Sequence, residues 1–173
     1  MGEAVAATMA GIYDRFGRLP VTFYRSTKQL PDFQDYSMKG RTYRYLTQPP
    51  LYPFGYGLNY ARFSLSDTHY DTATHKVEGL ITRLPQKNDD RLSADSSTAV
   101  VQVYVSNTAD SLAPRRSLVG FCKIALTRNQ TRHFSITIDP YWLRQFNEET
   151  QEMSDPEPGT PLLMQVGFSS ELR

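Results

Sequence analysis

The chain has 173 residues, which is enough for one domain, or for one domain and part of another. Its 19 Lys and Arg nearly balance 18 Asp and Glu, and no run of five like charges occurs, so nothing indicates nucleic acid or an anionic membrane as a partner. One cysteine, Cys122, excludes an internal disulfide and a cysteine zinc site, and His69, His75 and His133 lack metal-ligand spacing. We therefore predict no metal and no cofactor.

The first residues predict a short helix. Residues 2–10, GEAVAATMA, are good helix formers that place Val5, Met9 and Ile12 near one face, and Gly11 is a plausible end. The opening MGEAVAATMAG lacks a basic region before an apolar core, so no export signal is predicted in this chain. No apolar stretch approaches the ~20 residues that span a bilayer. The helix is too short to be stable alone and must dock on another surface.

A strand is predicted directly after this helix. In FGRLPVTFYRS, Val21–Tyr24 predict a short buried strand behind Pro20. A helix followed by a strand is half of an α/β unit, and one such unit cannot form a core. We therefore predict that residues 1–35 are the C-terminal remnant of a larger α/β domain.

An aromatic segment follows. Residues 36–60 contain six tyrosines, three prolines and three glycines, and the prolines disfavour helix. Flexible linkers are rich in Gly and Ser and poor in aromatic residues. The sequence therefore predicts an ordered, extended connector over residues 36–59.

From residue 60 onward the apolar residues alternate with polar ones, which is typical of strands. Six short strands with polar turns between them predict a mainly β fold, an antiparallel β-sandwich of the immunoglobulin kind, over residues 60–173. The predicted strands are ARFSLSD, KVEGLITRL, TAVVQVYVS, VGFCKIAL, RHFSITID and LLMQVGF. The segment DPYWLRQFNEETQEM interrupts the pattern, and its apolar spacing fits one or two helical turns or an extended excursion.

Nearly the whole chain resembles the C-terminal end of family 3 glycoside hydrolases, the β-glucosidases and β-xylosidases. GEAVA and GRLPVTFYRS resemble the last helix and strand of their α/β sandwich domain, and LPDFQDYSMKGRTYRYL resembles the connector that follows it. PLYPFGYGLNYARF, the most specific segment, resembles the start of their fibronectin type III-like domain. The later strands follow in the family's order, in VVQVYVSN, PRRSLVGFCKIAL, FNEETQEM and EPGTPLLMQVGFSS. Two segments depart from the family: ITRLPQKNDDRLSADSS makes a longer polar loop, and TRNQTR replaces a Pro-Gly-Glu turn.

The resemblance implies a parent enzyme that hydrolyses β-linked sugars with retention, using two carboxyl groups about 5–5.5 Å apart. In the family, the aspartate nucleophile lies in an N-terminal (β/α)₈ barrel and the acid/base group usually lies in the α/β sandwich domain. The resemblance does not extend to the barrel, so the nucleophile is expected to be missing here, and the acid/base group is expected upstream of Gly2. No catalytic, cofactor-binding or metal-binding residue is therefore assigned, and the chain is expected to be inactive alone.

Several side chains could in principle form a site of this chain's own. Cys122 shares a strand face with Ile124 and Leu126, which favours an inert buried thiol, and His133 alternates outward. Asn129 opens a glycosylation triplet that a bacterial source would leave bare. Acidic residues in turns are ordinarily solvated, and this interpretation applies to Asp139, Glu148, Glu149, Glu152, Asp155 and Glu157. The connector aromatics favour packing between domains over sugar stacking, and they are Tyr43, Tyr45, Tyr52, Phe54 and Tyr56.

Three functions remain open. The leading hypothesis is a non-catalytic C-terminal region that stabilises the barrel and α/β sandwich domains of a periplasmic or extracellular β-glycosidase. Those domains are the predicted partners, and β-linked oligosaccharide is bound only through the parent. The alternatives are a carbohydrate- or cell-wall-binding sandwich and, with least support, an independent enzyme. The sequence also predicts that residues 60–173 fold without residues 1–35, and that the N-terminal piece exposes an interface.

Overall fold

The computed structural model describes residues 2–86, 94–147 and 150–171. Two short helices, α1 (Gly2–Met9) and α2 (Thr42–Tyr45), precede the strands. The strands are β1 (Arg62–Asp71), β2 (Lys76–Leu84), β3 (Ser96–Asn107), β4 (Ser117–Thr127), β5 (Thr131–Thr137), β6 (Gln145–Asn147), β7 (Glu152–Ser154) and β8 (Leu162–Gly167). The fold is mainly β, as predicted from the alternating segments.

Two antiparallel sheets form a sandwich. One has the strand order β1-β2-β5 and the other has the order β4-β3-β8, while β6 and β7 form a separate hairpin. Each of the six predicted strands is present. Because β1–β2 and β3–β4 are neighbours within one sheet, while the chain crosses between the sheets from β2 to β3 and from β4 to β5, the arrangement is that of an immunoglobulin-like sandwich.

The core lies between the two sheets. Alternate residues of β2 and β5 are buried, and the odd-numbered side chains of β3 pack in the same cluster. The buried apolar cluster includes Val77, Ile81, Ala99, Val101, Val103, Leu126, Phe134, Ile136 and Ile138. This alternation is what the sequence predicted for TAVVQVYVS and RHFSITID.

Strand β3 differs from the other strands because both of its faces are buried. Val100, Gln102 and Tyr104 point away from the core, yet each is at most 5 % exposed. The sequence pattern assigns only the odd-numbered residues to a buried face. Something outside the two sheets must therefore cover the second face, and the connector does so.

The predicted strand Val21–Tyr24 is wrong. Only Phe23 makes a bridge, to Tyr52, and Val21 and Phe23 are 50 % and 44 % exposed. Pro20 lacks an N–H, and the connector offers too few backbone partners for a continuous ladder. The segment is an extended stretch held at a few points.

Helix α1 agrees with the helix predicted for residues 2–10. Helix α1 buries no side chain and ends before Gly11, whose φ of +70° suits a glycine. The segment DPYWLRQFNEETQEM was predicted to form either helical turns or an extended excursion. It makes one 3₁₀ turn, Pro140–Leu143, and then enters the β6-β7 hairpin, so each alternative is correct for part of it. Turn TRNQTR places Asn129 at a φ of +57°. Residues 87–93 of the long polar loop lie outside the described residues.

Candidate functional site

The connector lies on the outer face of β3, and Gly55 is the point of closest approach. A Cβ at Gly55 would collide with Gln102 Oε1 and would lie 2.9 Å from the Tyr104 hydroxyl. The backbone there has a φ of +76°, which side-chain-bearing residues rarely adopt. The Gln102 amide donates to the carbonyls of Gly55 at 3.0 Å and Phe168 at 2.8 Å, and the Tyr104 hydroxyl donates to Gln102 Oε1 at 2.5 Å. A buried polar network therefore ties the connector to the sheet.

Two connector aromatics extend this contact. Tyr43 and Phe54 stack with ring centroids 4.3 Å apart, and Tyr43 meets Tyr104 edge-on at 6.0 Å. The Tyr43 hydroxyl accepts a hydrogen bond from the Leu118 N–H at 3.1 Å, and Ser170 N–H donates to the Phe54 carbonyl at 2.9 Å. Burial raises the pKa of the Tyr104 hydroxyl well above its usual value. The ring faces of Tyr43 and Phe54 are thus used within the protein.

The other connector tyrosines lie on a different surface. Tyr52 and Tyr56 stack at 5.2 Å, and Phe23 meets Tyr52 edge-on at 6.2 Å. Leu19 N–H donates to the Tyr56 carbonyl at 2.8 Å, and Phe23 N–H donates to the Tyr52 carbonyl at 2.9 Å. Tyr52 and Phe23 nevertheless remain about two-fifths exposed, at 42 % and 44 %. These rings join the N-terminal segment to the connector, and the rings of Phe23 and Tyr52 remain partly exposed to solvent.

Asp14 is a fully buried carboxylate that ties the N-terminal segment to the sandwich. Its Oδ1 accepts hydrogen bonds from the Asn59 amide and the Tyr60 N–H, and its Oδ2 accepts from the Ala61 N–H, each at 3.0 Å. Its backbone pairs with β3 in parallel at Ser97. A buried charge is tolerated when its oxygens are hydrogen-bonded in this way.

Arg18 completes this junction. Its guanidinium donates to Asn59 Oδ1 and, at 3.3 Å, to the Leu58 carbonyl. Burial lowers the pKa of the Arg18 guanidinium, and the charge of Asp14 raises it in opposition. Nothing in the sequence pattern distinguishes Asp14 or Arg18 from solvated charges, and neither was predicted as a site residue.

The acidic residues considered in the sequence lie apart, in structural or exposed roles. Asp139 accepts a hydrogen bond from the Tyr141 N–H at 2.9 Å and caps the 3₁₀ turn. Asp155 lies 3.4 Å from the Arg144 Nε, while Glu152 and Glu157 are exposed. Glu148 and Glu149 lie outside the described residues.

Cys122 and His133 lie where the sequence pattern predicted them. Cys122 is half-buried against the core, and burial raises the pKa of its thiol. His133 is exposed on β5, as its place in the alternation predicted. Within residues 2–86, 94–147 and 150–171, no group of three His, Cys, Asp or Glu could hold a metal ion. Across the same ranges, no helix is long and apolar enough to cross a membrane.

The exposed apolar side chains are unevenly distributed. Of the 21 large apolar residues that the described part of the chain exposes, 14 lie within the first 60 residues and 7 lie in the sandwich. The 14 are Val5, Met9, Ile12, Tyr13, Val21, Phe23, Leu30, Phe33, Tyr36, Met38, Leu51, Tyr52, Leu58 and Tyr60. We call this set the N-terminal apolar surface. Exposed apolar side chains concentrated in one part of a chain are typical of a segment that packs against a partner.

The fold and this surface define a class of protein: an immunoglobulin-like sandwich that carries a docked connector and an uncovered N-terminal segment. Two family models match the chain in tandem. The glycosyl hydrolase family 3 C-terminal domain matches residues 1–60, and the fibronectin type III-like domain matches residues 99–170.

Relatives and solved structures indicate the same family as the two family models. The chain is 36 % identical over 88 % of its length to a xylan 1,4-β-xylosidase from Xylanibacter ruminicola, and 32 % identical over 91 % to a periplasmic β-glucosidase from Salmonella typhimurium. It covers 17 % and 22 % of those proteins, or about a fifth of their length. A crystal structure of a β-glucosidase from Kluyveromyces marxianus aligns over 98 % of this chain and 21 % of that one, with a TM-score of 0.74 and 26 % identity. The chain belongs to glycoside hydrolase family 3 and corresponds to its C-terminal region.

Proposed function

We propose that this chain is the non-catalytic C-terminal region of a family 3 β-glycosidase, a β-glucosidase or β-xylosidase that acts on β-linked sugars with retention. The observation that carries the proposal is the N-terminal apolar surface. It falls in the residues that match the family's C-terminal domain, and the relatives continue beyond that match on a much longer chain. A stabilising role accounts for this surface because burying it against further domains removes apolar area from water.

The proposed partners are the catalytic barrel and the remainder of the α/β sandwich domain of the parent enzyme. In helix α1, the side chains of Val5 and Met9 are 55 % and 78 % exposed. The extended segment around Phe23 makes one β-bridge, to Tyr52 of the connector. An extended segment with unpaired backbone groups is a natural place for a further strand to pair. Sugar would be bound only through the assembled parent, in a periplasmic or extracellular location.

We also propose that the chain divides into a remnant of the α/β domain at residues 1–35, the connector at 36–59 and the fibronectin type III-like domain at 60–173. The family matches to residues 1–60 and 99–170 support a change of domain between them. Connector contacts reach both neighbours, to Leu19 and Phe23 on one side and to Gln102 on the other.

Binding in trans tests the partner proposal. The chain should self-associate in light scattering, and it should be captured by a family 3 enzyme truncated before the matching region. Val5→Asp with Met9→Asp should weaken both associations, whereas Thr127→Asp, at an exposed position on the sandwich, should not. A strictly monomeric chain without affinity for the truncated enzyme would contradict the proposal.

A second candidate function is a carbohydrate-binding sandwich, and one observation favours it. Phe121 and Trp142, each 59 % exposed, line a shallow groove of about 340 Å³ beside Thr137. Aromatic faces of this kind can stack on sugar rings. Binding to insoluble xylan that is lost in Trp142→Ala would support this function over the first.

A further inference from the structure

Phe33 and Tyr36 are the most exposed large apolar side chains in the described part of the chain. Their exposed fractions are 92 % and 89 %, and no other large apolar side chain that the structure describes exceeds 78 %. Leu30 and Met38, in the same short stretch, are 47 % and 49 % exposed. A single exposed apolar side chain is ordinary, whereas four within one short segment favour a segment that a partner covers.

The backbone around these rings is held by hydrogen bonds of its own. The Asp32 carboxylate accepts a hydrogen bond from the Gln34 N–H, and the Asp35 carboxylate accepts one from the Ser37 N–H, each at 2.8 Å. Arg41 closes the segment, because its guanidinium donates to the Ser37 carbonyl at 2.9 Å and also to the Asp35 carbonyl. Residues 32–41 therefore form an ordered loop, which we call the aromatic loop.

The C-terminal end of the aromatic loop is attached to the rest of the chain. The Thr42 N–H donates to the Tyr24 hydroxyl at 2.9 Å, and the Arg115 N–H donates to the Arg44 carbonyl at 2.8 Å. Helix α2, which follows the loop, is thereby joined both to the N-terminal segment and to the residues before β4. A loop held in this way loses less conformational freedom when a partner covers its rings.

The rings are the part of the loop that is left for recognition. Asp32, Asp35 and Arg41 already bind the loop's own backbone, so the surface that remains is largely apolar and suits an apolar protein pocket better than a sugar. The loop lies within residues 1–60, which match the family's C-terminal domain, and the chain covers only 17 % and 22 % of two relatives. The rest of the parent chain is therefore the partner that the family match favours.

We propose that Phe33 and Tyr36 are anchor residues that insert into apolar pockets on the remaining domains of the parent enzyme. This inference rests on the function proposed above, and it specifies which side chains of the N-terminal apolar surface contribute most to binding. A few buried aromatic residues dominate the binding free energy of most protein interfaces, and the surrounding contacts contribute less. The Tyr36 hydroxyl would need a hydrogen-bonding partner in its pocket.

Two thermal measurements test the anchors. The first uses the 173-residue chain alone, and the second uses a chimaera in which this chain replaces the matching C-terminal region of the Xylanibacter ruminicola β-xylosidase. Phe33→Ala and Tyr36→Ala are the test variants. Leu112→Ala is the matched control, because Leu112 is 65 % exposed in a loop of the sandwich where the Asp110 carboxylate likewise accepts its N–H.

In the chain alone, all three substitutions should leave the thermal midpoint unchanged, because the side chains are exposed there. In the chimaera, each test variant should shorten the half-life of activity at a fixed elevated temperature by about tenfold or more, since it removes a buried anchor. Leu112→Ala should leave that half-life unchanged. An active chimaera that neither test variant affects would overturn the anchors and leave the proposed function standing. A folded chimaera without activity would instead contradict the proposed function, and the anchors with it.

Capture of the chain by the truncated enzyme is a second measurement, which does not depend on the folding of the chimaera. Phe33→Ala and Tyr36→Ala should each raise the Kd by about tenfold or more, whereas Leu112→Ala should not. Equal Kd values for the unaltered chain and both test variants would overturn the proposal. Test variants that weaken only the self-association of the chain would assign the rings to a second copy of it, which would also overturn the proposal.

Discussion

Asp14 is a charged side chain that the fold buries completely, and its three hydrogen bonds join parts of the chain more than forty residues apart. Removing the carboxylate would leave the Tyr60 and Ala61 N–H groups without acceptors, and the Asn59 amide would keep only its bond to the Thr98 carbonyl. Such groups are costly because they have given up water.

We therefore predict that Asp14→Ala lowers the free energy of unfolding by about 3 kcal/mol. This change is measured by urea denaturation, monitored through tryptophan fluorescence. Asp95→Ala, at an exposed position, is the matched control and should change stability little. A loss of less than about 1 kcal/mol in Asp14→Ala would show that water replaces the carboxylate.

Gly55 supports the second prediction at this scale. Gly55→Ala places a methyl group against Gln102 and imposes a side chain on a backbone with a φ of +76°, so it should cost about 2 kcal/mol or more. Gly17→Ala is the control, because a Cβ at that position would meet no atom within 4 Å and the backbone φ there is not positive. Equal thermal midpoints for the two variants would mean that the connector does not rest on β3 in solution.

Single residues differ in how far the sequence reveals them. Gln102 stands alone among apolar neighbours in VVQVYV, and Gly55 lies in the motif PFGYG, so both carry a visible signal. Asp14 carries none, because its partners are backbone groups of residues that only the tertiary fold brings close.

At the scale of elements, strands with one buried face were predicted correctly because alternation repeats every two residues. The second buried face of β3 was not predicted, since a run such as AVVQVYV does not tell which neighbour covers it. Val21–Tyr24 has strand-like composition but lies against a connector that bridges it at one residue. Composition favours a strand there, and the lack of a continuous pairing partner decides against it.

Deletions test how far the sandwich depends on the N-terminal elements. The apolar core lies wholly within the sandwich that follows the connector, so a chain without residues 1–35 should still unfold cooperatively. It should nevertheless melt on the order of 10 °C lower, because Asp14 and the partners of Tyr52 and Tyr56 are lost.

A shorter deletion is the control. Removing residues 1–10 takes away helix α1, which buries no side chain, and should lower the midpoint by less than about 3 °C. Calorimetry on both deletion variants compares their thermal midpoints. Loss of any cooperative transition after deletion of residues 1–35 would show that the N-terminal segment is integral to the sandwich.

At the scale of the whole molecule, the described chain has a closed core between its two sheets, whereas most of its exposed large apolar side chains belong to the first 60 residues. A complete small protein rarely leaves so much apolar surface uncovered. The family match explains the asymmetry, because the relatives extend far beyond the region that this chain matches. The family was predicted from the segments themselves, above all PLYPFGYGL.

A chimaeric enzyme is the most direct test of the central claim that this chain is a non-catalytic region completing a family 3 glycosidase. The matching C-terminal region of the Xylanibacter ruminicola β-xylosidase would be replaced by this chain, and nitrophenyl β-xyloside and β-glucoside hydrolysis would be measured for the chimaera, the truncated enzyme and this chain alone. We predict that the chimaera regains activity with the relative's own sugar preference, while the truncated enzyme and the chain alone show none. Turnover that co-purifies with the chain alone, or a folded chimaera without activity, would contradict the claim.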